Sequence, residues 1–220
     1  MLPNNLDLAE VRVLGALIEK ELSTPDHYPL SLNSLVSACN QSSNRDPVTT
    51  LSNDAVSHTI DTLRRRDLVR SFQGSGERVP KYQHLLAPAG DLSREELAVL
   101  CVLMLRGPQT VAEVRTRAAR LLPGDDAEAI ETALERLASR EPDAAVVRLP
   151  RRPGQKEARY AHLLGGEVVM NVVFEEHEES VATRASADDR IAALEALSQE
   201  MQREIADLRS QLESFRQQFE

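Results

Sequence analysis

Apolar positions along the chain follow two rhythms. The first is helical: Val11, Leu14, Leu17 and Ile18 recur on one face after Leu6-Asp7-Leu8-Ala9-Glu10. The same pattern opens again 86 positions later, where Leu92-Ser93-Arg94-Glu95-Glu96 precedes Leu97, Leu100, Met104 and Leu105. Both starts carry a capping box, with Asp7 or Ser93 as cap and Glu10 or Glu96 three residues on, and Leu6/Val11 or Leu92/Leu97 form the hydrophobic staple. A second predicted helix repeats at an offset of 79: Ser31 precedes Leu32, Leu35 and Val36, and Thr110 precedes Val111 and Val114, with Glu113 completing a capping box. A third repeats at an offset of 74, pairing Val56, Ile60 and Leu63 with Ile130, Leu134 and Leu137, and Ser52 and Asp125 are the expected N-caps.

The second rhythm is short and β-like. Leu68–Phe72 and Val79–Leu85 flank Gly74 and Gly76, while Val146–Leu149 and Ala158–Leu164 flank Pro153-Gly154. At an offset of 78, Arg70, Lys81, Tyr82, His84 and Leu85 match Arg148, Arg159, Tyr160, His162 and Leu163. Three helices followed by a hairpin, twice over, is the element order of a winged helix. The expected fold class is therefore mainly α with small β-hairpins (α+β): two tandem winged-helix domains over residues 1–90 and 91–166, plus a C-terminal coiled-coil-like helix.

That last helix rests on heptads. Ile191, Leu194, Ser198, Met201, Ile205, Leu208, Leu212, Phe215 and Phe219 step alternately by 3 and 4, and only Ser198 is polar. Residues 190–220 are expected to pair in a parallel homodimer, with Glu204 facing the partner's position equivalent to Arg209. The alternative is an amphipathic helix that folds back on its own domains. Residues 167–189, containing Glu175–Glu179 and little periodicity, are expected to be an acidic linker.

Composition changes this picture little until it is divided by region. The 220 residues carry 26 Lys+Arg against 35 Asp+Glu, for a formal charge of −9. Residues 1–90 hold 9 basic and 10 acidic side chains and residues 91–166 hold 12 of each, so residues 167–220, with 5 and 13, carry −8 of the total. An acidic total segregated in this way does not exclude a nucleic-acid partner. No apolar run is long enough to span a bilayer, so no membrane partner is expected. The first twenty residues lack a basic start followed by an apolar stretch, so no secretory signal is expected and a cytoplasmic protein is the default. Cys39 and Cys101 stand 62 positions apart, which excludes a disulfide framework and a cysteine-built zinc site.

Catalysis finds no foothold. His27, His58, His84, His162 and His177 have no second ligand at metal spacing, and no phosphate loop, HExxH or GxSxG is present. No cofactor, metal or enzymatic activity is expected. His84 and His162 take equivalent strand positions, which points to packing.

Binding is the better expectation. Opposite the first buried stripe lie Asp54, His58, Asp61, Thr62 and Arg65, and opposite the second lie Glu128, Thr132, Glu135, Arg136 and Ser139. The acidic second face is poorly suited to phosphates. Base reading is therefore expected from His58, Thr62 and Arg65, and phosphate contacts from Arg78 and Lys81 in the first wing and Arg148, Arg151, Arg152 and Lys156 in the second. Arg64-Arg65-Arg66 and Arg159 add to the positive count. These cations serve equally well on a solvated hairpin facing acidic helices. The polar loop Asn40–Arg45 is a further candidate: Asn40, Gln41, Asn44 and Arg45 suit either a polar ligand or the orphan backbone groups at two helix ends.

The stretches Thr24-Pro25-Asp26-His27-Tyr28-Pro29-Leu30-Ser31-Leu32-Asn33 and Ala38–Val48, together with Arg106-Gly107-Pro108-Gln109-Thr110, Arg117-Ala118-Ala119-Arg120 and Val147-Arg148-Leu149, resemble the signature of the YceH-like family of bacterial proteins. The resemblance covers about residues 6–166 and implies two tandem winged-helix domains, a cytoplasmic address and a heptad-like final helix, without an assigned activity. The functional expectation is a binding protein, DNA-associated and transcription-regulatory, with a protein–protein scaffold through the acidic third helices as the alternative.

Overall fold

The computed structural model describes residues 2–73, 79–122, 127–151 and 157–165. The linker, the heptad helix with its seam, Arg78, Arg152, Lys156 and the expected cap Asp125 lie outside the described residues.

The chain is mixed α/β, mainly helical, with small antiparallel sheets. In the first copy α1 (Leu8–Ser23) is followed by β1 (Leu30–Ser31), α2 (Leu32–Cys39), α3 (Asn53–Arg65), β2 (Val69–Phe72), β3 (Lys81–His84) and a short α4 (Leu86–Gly90). The second copy runs α5 (Arg94–Arg106), α6 (Val111–Ala118), α7 (Ala127–Ser139), β4 (Val146–Arg148) and β5 (Tyr160–His162). Single turns of 3₁₀ helix follow α1 at Pro25–His27 and α6 at Ala119–Leu121.

The helix starts lie where the caps demand. Asp7 Oδ1 accepts from Glu10 N at 2.7 Å and Glu10 Oε2 accepts from Asp7 N at 3.0 Å, which closes the first capping box. Ser93 with Glu96 and Thr110 with Glu113 close the same box on α5 and α6, while Ser31 and Ser52 cap α2 and α3 by their side chains alone. The strands fall within the expected runs and are one to four residues shorter.

A third strand joins the first hairpin and a single β-bridge joins the second, and the alternation rule finds neither. β1 pairs antiparallel with β3, Leu30 opposite Tyr82, giving the order β1-β3-β2. In the second copy Gln109 and Tyr160 exchange both backbone bonds, at 2.9 and 2.7 Å. Leu30 and Gln109 are 79 positions apart and Tyr82 and Tyr160 are 78 apart, so the repeat extends to this pairing. Two residues squeezed between a proline and a helix cap are too few to show a period of two.

α1 and α5 are buried on nearly all sides and lie in one continuous core reaching from Leu2 to Leu164. The described residues form one compact unit in which the two copies share that core. The helices meet at equivalent positions: Gly15 and Cys101 are 86 apart in sequence, and the Cys101 thiol lies 3.5 Å from the Gly15 carbonyl oxygen. A Cβ on Gly15 would stand 2.9 Å from Leu105 Cδ2 and 3.3 Å from Met104 Cβ, so the missing side chain sets the approach of the two helices.

Candidate nucleic-acid interface

α3 buries Val56, Ile60 and Leu63 and turns Asp54, His58, Asp61, Arg64 and Arg65 to solvent. Hydrogen bonds along the helix order this outer face. Thr62 Oγ1 donates to the His58 carbonyl oxygen at 3.2 Å, and Arg65 Nη2 donates to Thr62 Oγ1 at 3.0 Å. Arg64 lies 3.4 Å from Asp61 in an exposed ion pair, a contact weak enough to be exchanged for a ligand.

After α3 the chain turns through Asp67, which takes a left-handed φ of 55°, and enters β2. Between helix and strand opens a groove of about 780 Å³ lined by His58, Asp61, Arg64, Arg65, Asp67 and Arg70, among others. The structure thus brings His58 and Arg65 together with Arg64 and Arg70 on one wall-and-floor arrangement. Lys81 lies on the next strand, opposite Phe72. Arg66, the third arginine of the run, does not join them. It turns inward to Glu10 Oε2 at 2.9 Å and to the Asn5 carbonyl oxygen at 3.5 Å.

The equivalent face of α7 exposes Glu128, Thr132, Glu135, Arg136 and Ser139. Arg148 and Arg151 line a smaller groove of about 440 Å³ together with Arg115, Glu131 and Glu157. Arg115 is held 3.2 Å from Glu131. Arg159 is no wing cation: it reaches back to the Pro108 carbonyl oxygen at 2.9 Å and to Glu113 Oε2 at 3.2 Å. Its position just before β5 directs it toward α6.

The Asn40–Arg45 loop is built inward. The Asn40 amide donates to the Leu51 carbonyl oxygen and accepts from Leu51 N, both at 2.8 Å, which closes the α2–α3 connection as a backbone pair would. The Arg45 side chain is fully buried; it donates to the Ala38 carbonyl oxygen at 2.6 and 3.1 Å, to Gln41 Oε1 at 3.1 Å, and to Glu19 Oε2 at 2.5 Å. These groups complete the C-terminal end of α2 and tie it to α1. Asn44 accepts from Arg106 of the second copy.

The paired histidines differ in surroundings. His84 accepts from Leu86 N at 3.2 Å, its backbone N donates to Tyr28 Oη at 2.8 Å, and its Nε2 meets the Glu21 carboxylate. The hydrogen bond from His84 holds the Glu21 carboxyl below the usual carboxylate range. His162 is buried without a described carboxylate partner, and burial pushes its pKa down to about 4. Burial likewise raises the Cys39 thiol to about 12, which leaves it unreactive at neutral pH. Among the described residues no helix is long and apolar enough to cross a membrane.

A family profile described as "Protein of unknown function, DUF480" matches residues 6–155. The chain is similar to a UPF0502 protein of Solibacter usitatus, 47% identical over 216 residues, and to one of Geobacter sulfurreducens, 48% identical over 222 residues, each alignment covering 98% of both chains. It is also similar to a UPF0502 protein of Geotalea daltonii, 56% identical over 162 residues, covering 74% of this chain and 73% of the relative.

Proposed function

The chain belongs to the DUF480 family, in keeping with its YceH-like signature, and from that premise we propose that it is a cytoplasmic tandem winged-helix protein that binds duplex DNA through its first copy and acts as a regulator rather than a catalyst. The order of three helices and a hairpin, present in both copies, with a third short strand in the first and a matching single bridge in the second, supports the winged-helix reading.

The observation that carries the DNA reading is the groove between α3 and β2, where Arg64, Arg65 and Arg70 stand with His58 against Asp61 and Asp67. A helix and a flanking strand with exposed guanidiniums is an arrangement that takes a phosphate backbone beside a major groove. In the second copy Arg148 and Arg151 add phosphate contacts, while Glu128 and Glu135 keep α7 from the groove. A homodimer through residues 190–220 belongs to the same reading, because two copies of a one-sided DNA contact double the site.

Phe72 and Val79, 53% and 54% exposed on the first hairpin, favour a second reading in which that wing docks on a protein. Fluorescence anisotropy with a labelled duplex at about 50 mM salt separates the two. The DNA reading requires salt-dependent binding that Arg65→Glu with Arg70→Glu abolishes. The protein reading takes over when the wild type shows no duplex binding at that salt.

A further inference from the structure

Two stretches that carry the family resemblance meet where the copies join. Arg106 closes α5, Arg117 sits in the last turn of α6, and Arg120 follows in the 3₁₀ turn. From the first copy come Glu19 of α1 and Asn44 of the α2–α3 connection. These residues surround a half-enclosed cavity of about 60 Å³ with an apolar lining of Cys101, Val102, Leu105 and Leu121.

The charges there do not balance. Glu19 is engaged by Arg45 at 2.5 Å, with Lys20 at 3.9 Å. Glu113 is shared between Arg117 at 3.7 Å and Arg159 at 3.2 Å. Arg106 donates to the neutral Asn44 amide oxygen, with Asp46 as the acid that acts on it, and the Arg120 side chain makes no ion pair among the described residues. Burial and the neighbouring Arg117, Arg120 and Arg45 push Arg106 below the ordinary arginine range. Guanidiniums held together over an apolar surface repel one another unless an anion sits between them.

We propose that Arg106, Arg117 and Arg120, with the Asn44 amide at the rim, form a binding site for a small phosphate-type dianion at the junction of the two copies. Planar guanidiniums match the oxygen pairs of a tetrahedral oxyanion. At about 60 Å³ the cavity is closer in size to a single oxyanion than to a nucleoside. Because it draws on both copies, occupancy tightens the joint between them. The site is separate from the α3–β2 groove and does not rest on the DNA reading.

The test is thermal unfolding of the full chain titrated with inorganic phosphate against chloride at matched ionic strength. Phosphate is expected to raise Tm saturably, as a ligand bound only by the folded state does. Arg117→Gln with Arg120→Gln is expected to weaken the apparent Kd by at least about tenfold. In chloride the same variant is expected to unfold no lower than the wild type, because repulsion is relieved; a purely structural pair of arginines would lower it. The exposed Arg120→Gln alone gives the same direction should the double variant fail to fold. Both variants leave duplex binding unchanged, and Arg65→Glu with Arg70→Glu leaves the phosphate shift unchanged. An absent phosphate shift in the wild type, or an equal shift in Arg120→Gln, overturns the proposal.

Discussion

The two copies share their frame and differ in what hangs on it. Both carry a capping box on the first helix, the same buried stripe on the third helix and the same antiparallel pairing to a central tyrosine, Tyr82 or Tyr160. They part at the outer face of the third helix, which is mixed with a basic groove in the first and acidic in the second. They part again at the connection before it, where the first copy buries Arg45 and the second exposes Arg120. Positions that fill the core are constrained by packing and stay alike, whereas positions off the core are free to diverge, and function is sought there.

The largest expected effect comes from the buried cation present only in the first copy. Arg45→Ala leaves Glu19 and the end of α2 without their partner and is expected to cost about 3–5 kcal/mol in urea denaturation. Arg45→Met with Glu19→Leu should recover most of that loss. Equal stability of Arg45→Ala and wild type would contradict the structural role of the loop.

Next comes the histidine pair. His162 titrates near 4 in the folded chain and near about 6.5 when unfolded, so the unfolded state binds the extra proton between those values. Stability from this group is intact above the unfolded value and falls as pH drops toward the folded one, by about 3 kcal/mol at the limit. His162→Leu is expected to flatten the stability profile across that window. An unchanged slope in the variant would remove His162 as the cause.

Gly15→Val tests the seam the copies share. A branched side chain set against Leu105 and Met104 is expected to cost about 1–3 kcal/mol by overpacking. Thermal unfolding as one cooperative transition at lower Tm is the predicted outcome, and a wild-type Tm would show that the helices yield freely. The smallest effect on folding is expected from the heptads. Ile205→Asp with Leu208→Asp should halve the mass seen by light scattering while leaving the unfolding of residues 2–165 unchanged. A wild type already monomeric at tens of micromolar rejects the dimer.

Much of this frame was legible from residues close in sequence. Asp7 with Glu10, Ser93 with Glu96 and Thr110 with Glu113 are three positions apart, and the stripes of α3 and α7 span two turns, so local rules reach them. The destination of long side chains was not. Arg66 and Arg159 read as surface cations until packing brought Glu10, 56 residues away, and Glu113, 46 away, within reach. The Arg106, Arg117 and Arg120 cluster needed Asn44 and Glu19 from the other copy, and no spacing rule connects them. His84 and His162 looked equivalent on their strands, and only the fold supplies Glu21 to one of them.

The asymmetry of the copies is tested most directly by the salt dependence of duplex binding. Each phosphate contact contributes about 0.9 to the log–log slope, so Arg64, Arg65 and Arg70 changed to Ala should lower it by roughly 2–3 units. Arg148→Ala with Arg151→Ala should lower it by no more than about 2 units, and sequence preference should change only with the first set. Equal loss of preference from both sets, or a slope that neither set alters, would contradict a DNA contact led by the first copy.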